Sequence, residues 1–433
     1  MTIESGAAPK GSLPKGSSPK RAINPLSAIA LAVVATLGLL YVVSQFLRNS
    51  VGVIAPTLAT EIGLTPIEIG TLSSVYFLVF AATQLPLGVA LDRFGPKMCM
   101  LISIGFTVLG CVLFAVAHEA GSLVAARAML GFGTASFLMA PVALYARWFP
   151  PERFSTFAGI QLGLGSLGAI FATAPLAYAT AGFGWRMTFL GVGVCAAAIG
   201  VLIWLIVTDD PPGVKTTRHK ETLRESIAGI WQVIRTPSMG RVFMVQVASY
   251  PTYVLIIGLW GGPYLTHVYS YDLTGRGNVL FVAALAQVLG SFFWGASDRL
   301  FGGCKVPLLI SLAMCVVSLV LLALLGTLPI PLLLIAFAVI GFTTNLSSLA
   351  MSHGRSLVAP HLLGRTITLL NIGAMGGGFL VQFVSGTIIN LFASQAGAYP
   401  LHAYRLVFAL QAALVLAGFL AYLGSRESHL DRA

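Results

Sequence analysis

The stretch Gly88-Val-Ala-Leu-Asp92-Arg93-Phe-Gly95-Pro-Lys97 sets an acid, a base and a second base between glycines, with long apolar runs on either side. Charged groups are expensive in hydrocarbon, so the pattern predicts a short loop joining two membrane helices. Gly88 is expected to let two backbones approach closely, and Gly95 to let the chain turn back. One such stretch could be a generic charged turn. A second, Gly295-Ala-Ser-Asp298-Arg299-Leu-Phe-Gly302-Gly303-Cys-Lys305, repeats the order Gly, Asp-Arg, Gly, Lys in the other half of the chain.

Composition sets the solvent in which these loops work. The 433 residues are 57% apolar and only 9% charged, with a mean hydropathy of +0.89. A soluble chain carries about 25% charged residues, so this one is a polytopic membrane protein. The five cysteines, Cys99, Cys111, Cys195, Cys304 and Cys315, have no ligand spacing and read as small apolar fillers, neither a disulfide framework nor a metal site. Residues 1–27, rich in Lys, Ser, Gly and Pro, are read as a disordered cytoplasmic tail without a cleavable signal.

A crossing needs about 20 apolar residues. On that rule helices are expected near 28–56, 69–91, 98–117, 122–145, 156–180 and 187–207. A polar, basic and partly helical linker over 208–241 follows. Six more helices are expected near 242–266, 276–297, 305–326, 330–352, 366–391 and 404–424, with a cytoplasmic tail over 425–433. The expected fold is an all-α membrane protein of twelve transmembrane helices, arranged as two pseudo-symmetric six-helix bundles, 28–207 and 242–424. With both termini inside, all the Lys and Arg residues fall in cytoplasmic segments except Arg48, Arg127, Arg186, Arg276 and Arg405. That bias orients the chain. It also explains the net charge of +11 through a basic face toward anionic lipid, so no nucleic acid is called for.

The repeated Asp-Arg stretches resemble the loop signature of the major facilitator superfamily, which lies between helices 2 and 3 with a weaker echo between helices 8 and 9. Arg127-Ala-Met-Leu-Gly131-Phe-Gly133 resembles that family's helix-4 arginine motif, and Gly184-Trp185-Arg186 with Phe189 a common join before helix 6. Arg147-Trp-Phe-Pro-Pro-Glu152-Arg153, after helix 4, is echoed between helices 10 and 11 by the segment Arg355 to Arg365. The resemblance implies a permease with alternating access, in which Gly88, Asp92, Arg93, Gly95, Lys97, Asp298 and Arg299 form the conformational switch. It further implies that Asp92 and Arg93 dock the loop against neighbouring helices across the half interface.

Arg48 is the sharpest candidate for solute contact. It falls inside the first span, and Tyr41, Gln45, Arg48 and Gly52 follow 4-3-4 spacing on one helical face. A charge at that depth is expected to face a watery cavity or a partner, and a guanidinium can grip a carboxylate or phosphate through two parallel hydrogen bonds. The competing reading is an arginine snorkelling to the outer interface. The segment Phe46-Leu47-Arg48-Asn49-Ser50 also resembles the first helix of the organophosphate:phosphate antiporters, where a second arginine in helix 7 helps hold a phosphate. On one face of helix 7, at 4-3-7 spacing, this chain offers Gln246, Tyr250, Tyr253 and Trp260, with Tyr253 and Trp260 expected to line the solute cavity, and no interior arginine, which favours a singly charged solute.

Asn345 and Arg355 on helix 10, and Asn371 and Gln382 on helix 11, form further polar stripes that either bind solute or join helices. Arg127, His353 and Arg355 are expected to serve coupling or structure. No Asp or Glu falls in mid-membrane, no Walker loop is present, and no nucleophile-base cluster suits an enzyme. The chain is therefore expected to be a secondary transporter, by symport or antiport, of a small organic anion. It is expected to need no cofactor or metal and to sit as a monomer in the bilayer of a bacterial inner membrane. Two rivals are a proton-driven exporter of drugs or metabolites, and a transporter-fold solute sensor.

Overall fold

The computed structural model describes residues 28–425 apart from 211–222, 360–361 and 393–398. The tails expected over 1–27 and 425–433 therefore lie outside it, save for Ser425. Among the described residues every regular element is helical. The first crossing is α1 (Ala28–Asn49) continued by α2 (Val51–Ile62), and the second is α3 (Pro66–Phe94). Between them Gly63 takes a left-handed conformation (φ 78°) and Thr65 opens α3 with a reciprocal cap. The Thr65 hydroxyl accepts from Glu68 N (3.3 Å) and the Glu68 carboxylate from Thr65 N (2.8 Å), satisfying two donors at the helix start. Then come α4 (Pro96–Ala115), and α5 (Ala120–Thr134) running on into α6 (Ser136–Trp148).

α7 (Pro151–Phe171) and α8 (Ala174–Ile206) need division. At about 1.5 Å per residue the 33 residues of α8 are too long for one hydrocarbon core of about 30 Å. The chain turns inside it at Gly184 (φ 76°, ψ 156°), a conformation open to glycine. Residues before that turn complete the fifth crossing begun by α7, and residues after it make the sixth. Eleven described helices are long and apolar enough to cross a membrane, counting α8 once; with α8 divided, the crossings number twelve.

α9 (Leu223–Ile234) lies in the linker, within the segment expected to be partly helical. The seventh crossing is α10 (Met239–Leu255), a π turn over Ile256–Trp260, and α11 (Gly261–Tyr269). The rest are α12 (Leu273–Phe301), α13 (Lys305–Leu325), α14 (Ile330–Thr344) with α15 (Ser347–Ser356), α16 (Leu363–Leu391) and α17 (Leu401–Leu423).

Pairing repeats between the halves. Crossings 1 and 5 pack together as do 7 and 11, 2 and 4 as do 8 and 10, and 3 and 6 as do 9 and 12. The halves meet through α3 against α16, α7 and α8 against α12, and α1–α2 against α10–α11. Their closest approaches lie at the end away from Asp92. There a Cβ added at Gly70 would sit 2.8 Å from the Cα of Gly386, and Gly52 is pressed on Ile257 and Gly262.

The structure corrects two expectations. Both Asp-Arg pairs sit on the last helical turns of α3 and α12, not in loops. A helix satisfies its own backbone and runs on until a glycine stops it, Gly95 (φ 89°) in one case and Gly302 (φ 70°) in the other. Gly88 forms no close approach either, since a Cβ there would meet nothing within 4 Å; the tight crossings are at the opposite end.

Candidate functional site

The site is built where α1 of the first half faces α10 of the second. Arg48 lies in the last turn of α1, where the helix dipole favours a cation, and is 5% exposed. Its guanidinium donates through Nη1 to the Tyr250 hydroxyl of α10 (3.1 Å) and lies 4.7 Å over the Phe80 ring of α3. The rings of Tyr41, Tyr76 and Tyr250 are within its electrostatic reach. No carboxylate pairs with it among the described residues, and its Nε is buried without a hydrogen-bond partner.

Other polar atoms on the same two helices are in the same condition. Ser44 Oγ, Gln45 Oε1 and Asn49 Oδ1 on α1 have no hydrogen-bond partner, nor do both amide atoms of Gln246, Ser249 Oγ and Tyr253 OH on α10. Each unpaired polar group costs about 1–3 kcal/mol when buried, and native interiors leave few of them. One fixed positive charge, aromatic walls and free amide and hydroxyl groups from both halves suit a small polar anion held in fork geometry.

The expected residues do not all converge here. Tyr41 does, within electrostatic reach of Arg48, while Gln45 and Tyr253 lie on the same two helices with buried, unpaired polar atoms. Trp260 does not: its Nε1 donates to Ser385 Oγ (2.7 Å) on α16. The π turn over Ile256–Trp260 widens the helix and moves Trp260 off the face that Tyr253 occupies. Gln382 donates to Val254 O (2.8 Å), so it joins α16 to α10 within one half. Asn345, at the break between α14 and α15, donates to Ser291 Oγ (2.7 Å) of α12. Asn371 is half-buried on α16. Tyr76 and Phe80 were absent from the sequence candidates; at i and i+4 on an apolar helix they read as core.

Arg127 is fully buried in α5 and donates to Leu47 O (2.6 Å) and Leu72 O (3.4 Å), with its guanidinium 4.5 Å over Tyr76. It thus fastens α1 and α3 through their carbonyls. His353 Nδ1 lies 2.6 Å from the Tyr422 hydroxyl, tying α15 to α17, and Arg355 is exposed. In the switch stretch, Lys97 donates through Nζ to Trp204 O (2.7 Å) and through its backbone to Asp209 Oδ1 (2.7 Å). Those contacts are to the sixth crossing of its own half and to the start of the linker just after it. Asp92 is half-buried, while Arg93 and Arg299 are exposed and Asp298 accepts from the Arg299 backbone (2.8 Å). At the far end the Gly184-Trp185-Arg186 turn is held by Glu61, which accepts from Trp185 Nε1 (2.7 Å) and pairs with Arg186 (3.0 Å).

Comparison with known proteins agrees with this architecture. The sequence model of the Major Facilitator Superfamily matches residues 37–277. The chain is 24% identical over 398 residues to the hexuronate transporter of Escherichia coli (strain K12), covering 87% of this chain and 90% of that one. It is 32% identical over 207 residues to the nitrate/nitrite transporter NrtP of Nostoc punctiforme, covering 45% and 41%. The match to NrtP of Picosynechococcus is 26% over 198 residues, covering 39% and 37%. The chain thus spans about two fifths of the length of these nitrate/nitrite transporters. In fold it is similar to a bacterial homolog of the human lysosomal transporter Spinster, solved inward-facing and unoccupied, with a TM-score of 0.76 at 16% identity over 92% of this chain and 98% of that one. Twelve crossings paired alike in two halves, carrying the repeated Asp-Arg stretches and matched by the family over more than half the chain, make this protein a member of the Major Facilitator Superfamily, a multi-pass membrane protein.

Proposed function

We propose that the protein is a secondary active transporter moving a small, singly charged organic anion such as a carboxylate by alternating access. The observation that carries this reading is Arg48, a buried guanidinium with no carboxylate partner, ringed by unpaired hydroxyl and amide groups. A bound anion would balance that charge and accept from the donors among them, Arg48 Nε, Gln246 Nε2 and the Ser44, Ser249 and Tyr253 hydroxyls, while the amide oxygens of Gln45, Asn49 and Gln246 would accept from hydroxyls on the solute. The seventh crossing contributes Tyr250, and its one arginine, Arg241, is exposed at the cytoplasmic end, so one negative charge is matched better than two. The hexuronate and nitrate/nitrite transporters it resembles are named for anions, which supports the class.

Arg48 grips the acid group, and Gln45, Tyr41, Gln246 and Tyr253 shape the cavity around it. Asn345, Asn371, Trp260 and Gln382 act one step back, by holding helices. The halves 28–207 and 242–424 are the moving units, with Asp92, Arg93, Asp298 and Arg299 as the switch between them. Basic residues gather at the Asp92 end, so that end and both termini face the cytoplasm of a bacterial inner membrane. The end bearing Arg276 is then the outer one. Coupling runs through exchange, bound substrate or His353, because no membrane carboxylate is at hand.

The test is uptake by proteoliposomes of glucuronate, galacturonate, nitrate and a sugar phosphate, with Arg48→Ala and Arg48→Lys alongside. One of the two carboxylates should be taken up by the wild type, and uptake of nitrate alone would keep the anion class but overturn the organic solute. Two lost charge-assisted bonds, at about 1.5–3 kcal/mol each, predict a loss of roughly 100-fold or more in affinity for Arg48→Ala. Arg48→Lys should keep the charge but lose the fork. Undiminished uptake by Arg48→Ala, or accumulation of apolar cations in place of anions, would sink the proposal in favour of an exporter. Binding without flux would point to a sensor.

A further inference from the structure

We infer that α9, in the linker between the halves, is a binding site for anionic phospholipid that straps the cytoplasmic-side seam of the transporter to the bilayer surface. The helix has two apolar faces. Val233, Ile230 and Gly229 point into the protein, with Val233 fully buried and Arg365 of α16 lying across Gly229, where a Cβ would not fit. These contacts seat α9 on α16 and on α3, one helix from each half, at the end where the charged stretches lie.

A second stripe is uncovered. Ile227, Trp231 and Ile234 follow 4-3 spacing on one face and are 51%, 55% and 42% exposed. In water such a stripe would be a liability. Beside a seam of two membrane helices it fits the boundary between headgroups and acyl chains. The neighbouring edge is basic: Arg224, Trp231 and Arg235 are spaced 7 and 4, so both exposed arginines run along the border of the stripe. Arg235 stacks 4.9 Å from the Trp231 ring centre, which holds the cation at the level of the indole. Glu225 and Gln232, seven apart, occupy the face beyond.

Around the helix the order is therefore protein-facing, apolar, basic, then polar. A helix lying in the interface plane needs this order: its stripe meets lipid, its arginines meet phosphates, and its last face meets water. Trp at that level is at home in the interfacial belt. Charge complementarity selects an anionic headgroup over a zwitterionic one. Because α9 touches both α3 and α16, a lipid held there bears on the same seam that must move when the halves rock. This inference needs only that the chain crosses a membrane, and it stands apart from the identity of the solute.

The experiment is lipid quenching of Trp231 in the full-length protein. The chain and its Trp231→Phe variant are reconstituted in phosphatidylcholine vesicles containing the same small fraction of brominated phosphatidylcholine or brominated phosphatidylglycerol. The difference between the two proteins isolates Trp231. Quenching by brominated lipid is expected, stronger with phosphatidylglycerol. Arg224→Gln and Arg235→Gln should each reduce that preference roughly fivefold, the weight of one arginine at an anionic surface. Equal quenching by both headgroups would overturn the anionic site. Quenching by aqueous acrylamide and by neither lipid would overturn the membrane assignment altogether and leave the stripe to a soluble partner. Should Trp231→Phe not reconstitute, the wild type with and without the two Arg→Gln changes still reads the headgroup preference.

Discussion

Arg276 offers the most direct test of how the halves are held. It sits on the first turn of α12, 4% exposed. It donates through Nε to Val53 O (2.8 Å) and through Nη2 to Thr57 Oγ1 (2.9 Å), both on α2 in the other half. Its remaining bond, Nη1 to Thr266 Oγ1 (3.1 Å), stays within its own half. Opening this end must break the first two and spare the third. Hydrogen bonds from a charged donor contribute about 1.5–3 kcal/mol each, so at the low end the pair favours the closed end by about 3 kcal/mol. Arg276→Ala should then shift the closed-to-open ratio roughly 100-fold toward open. Arg276→Lys, which can keep one of the two bonds, should shift it roughly tenfold. Pulsed electron paramagnetic resonance reads this directly from spin labels at Thr60 and Thr274, which flank the contact. The exposed thiol Cys195 is replaced by Ser to avoid stray labelling. A longer distance should appear in Arg276→Ala and be scarce in the parent. If the folded variant gives the parent distribution unchanged, Arg276 does not latch this end and the energetic argument fails.

Arg127 supplies two carbonyls from one fork, so Arg127→Lys should cost about 1.5–3 kcal/mol of stability in thermal unfolding while leaving solute affinity within about twofold; a large affinity loss at unchanged stability would instead make it a solute ligand. Gly70→Ala would push a Cβ to 2.8 Å from the Gly386 Cα, and overpacking of about 1–3 kcal/mol should lengthen the distance between labels at that end; an unaltered distance and melting temperature would show that the helices yield freely. Asp272 caps α12, and hydrogen bonds from the Thr274 hydroxyl and Gly275 N hold its carboxyl below the ordinary 3.8. A depressed folded value stabilises above the unfolded pKa and is lost as pH falls through the folded one. Asp272→Ala should therefore lower the melting temperature near neutral pH, by an amount that stays constant until about pH 4 and shrinks below it; a gap that persists in acid would rule out the carboxylate as its source.

Much of the architecture was legible one residue at a time. Hydropathy is a local property, so runs such as 98–117 and 305–326 announced crossings that the structure places at Pro96–Ala115 and Lys305–Leu325. Arg48 was legible too, because a charge inside an apolar run is conspicuous without any knowledge of its neighbours. Helix ends were less so: Asp92 and Asp298 looked like loop residues, yet backbone hydrogen bonding carried both helices on to their glycines. The face drawn for the seventh crossing placed Trp260 with Tyr253, and a single π turn separated them. Nothing in residue types announces that widening.

By itself the sequence determined the class, the number of crossings, the repeat and the presence of arginines such as Arg48 and Arg127 within the spans, all of which are read through the cost of moving side chains from water into hydrocarbon. Partnership was decided only in three dimensions. Arg48 with Tyr250 and Arg276 with Val53 join residues some two hundred positions apart, and Arg127 is spent on backbone carbonyls that carry no sequence identity. Helical periodicity gives the face a side chain occupies. Which helix lies opposite is set by close packing, where glycines such as Gly70 and Gly386 let two backbones touch.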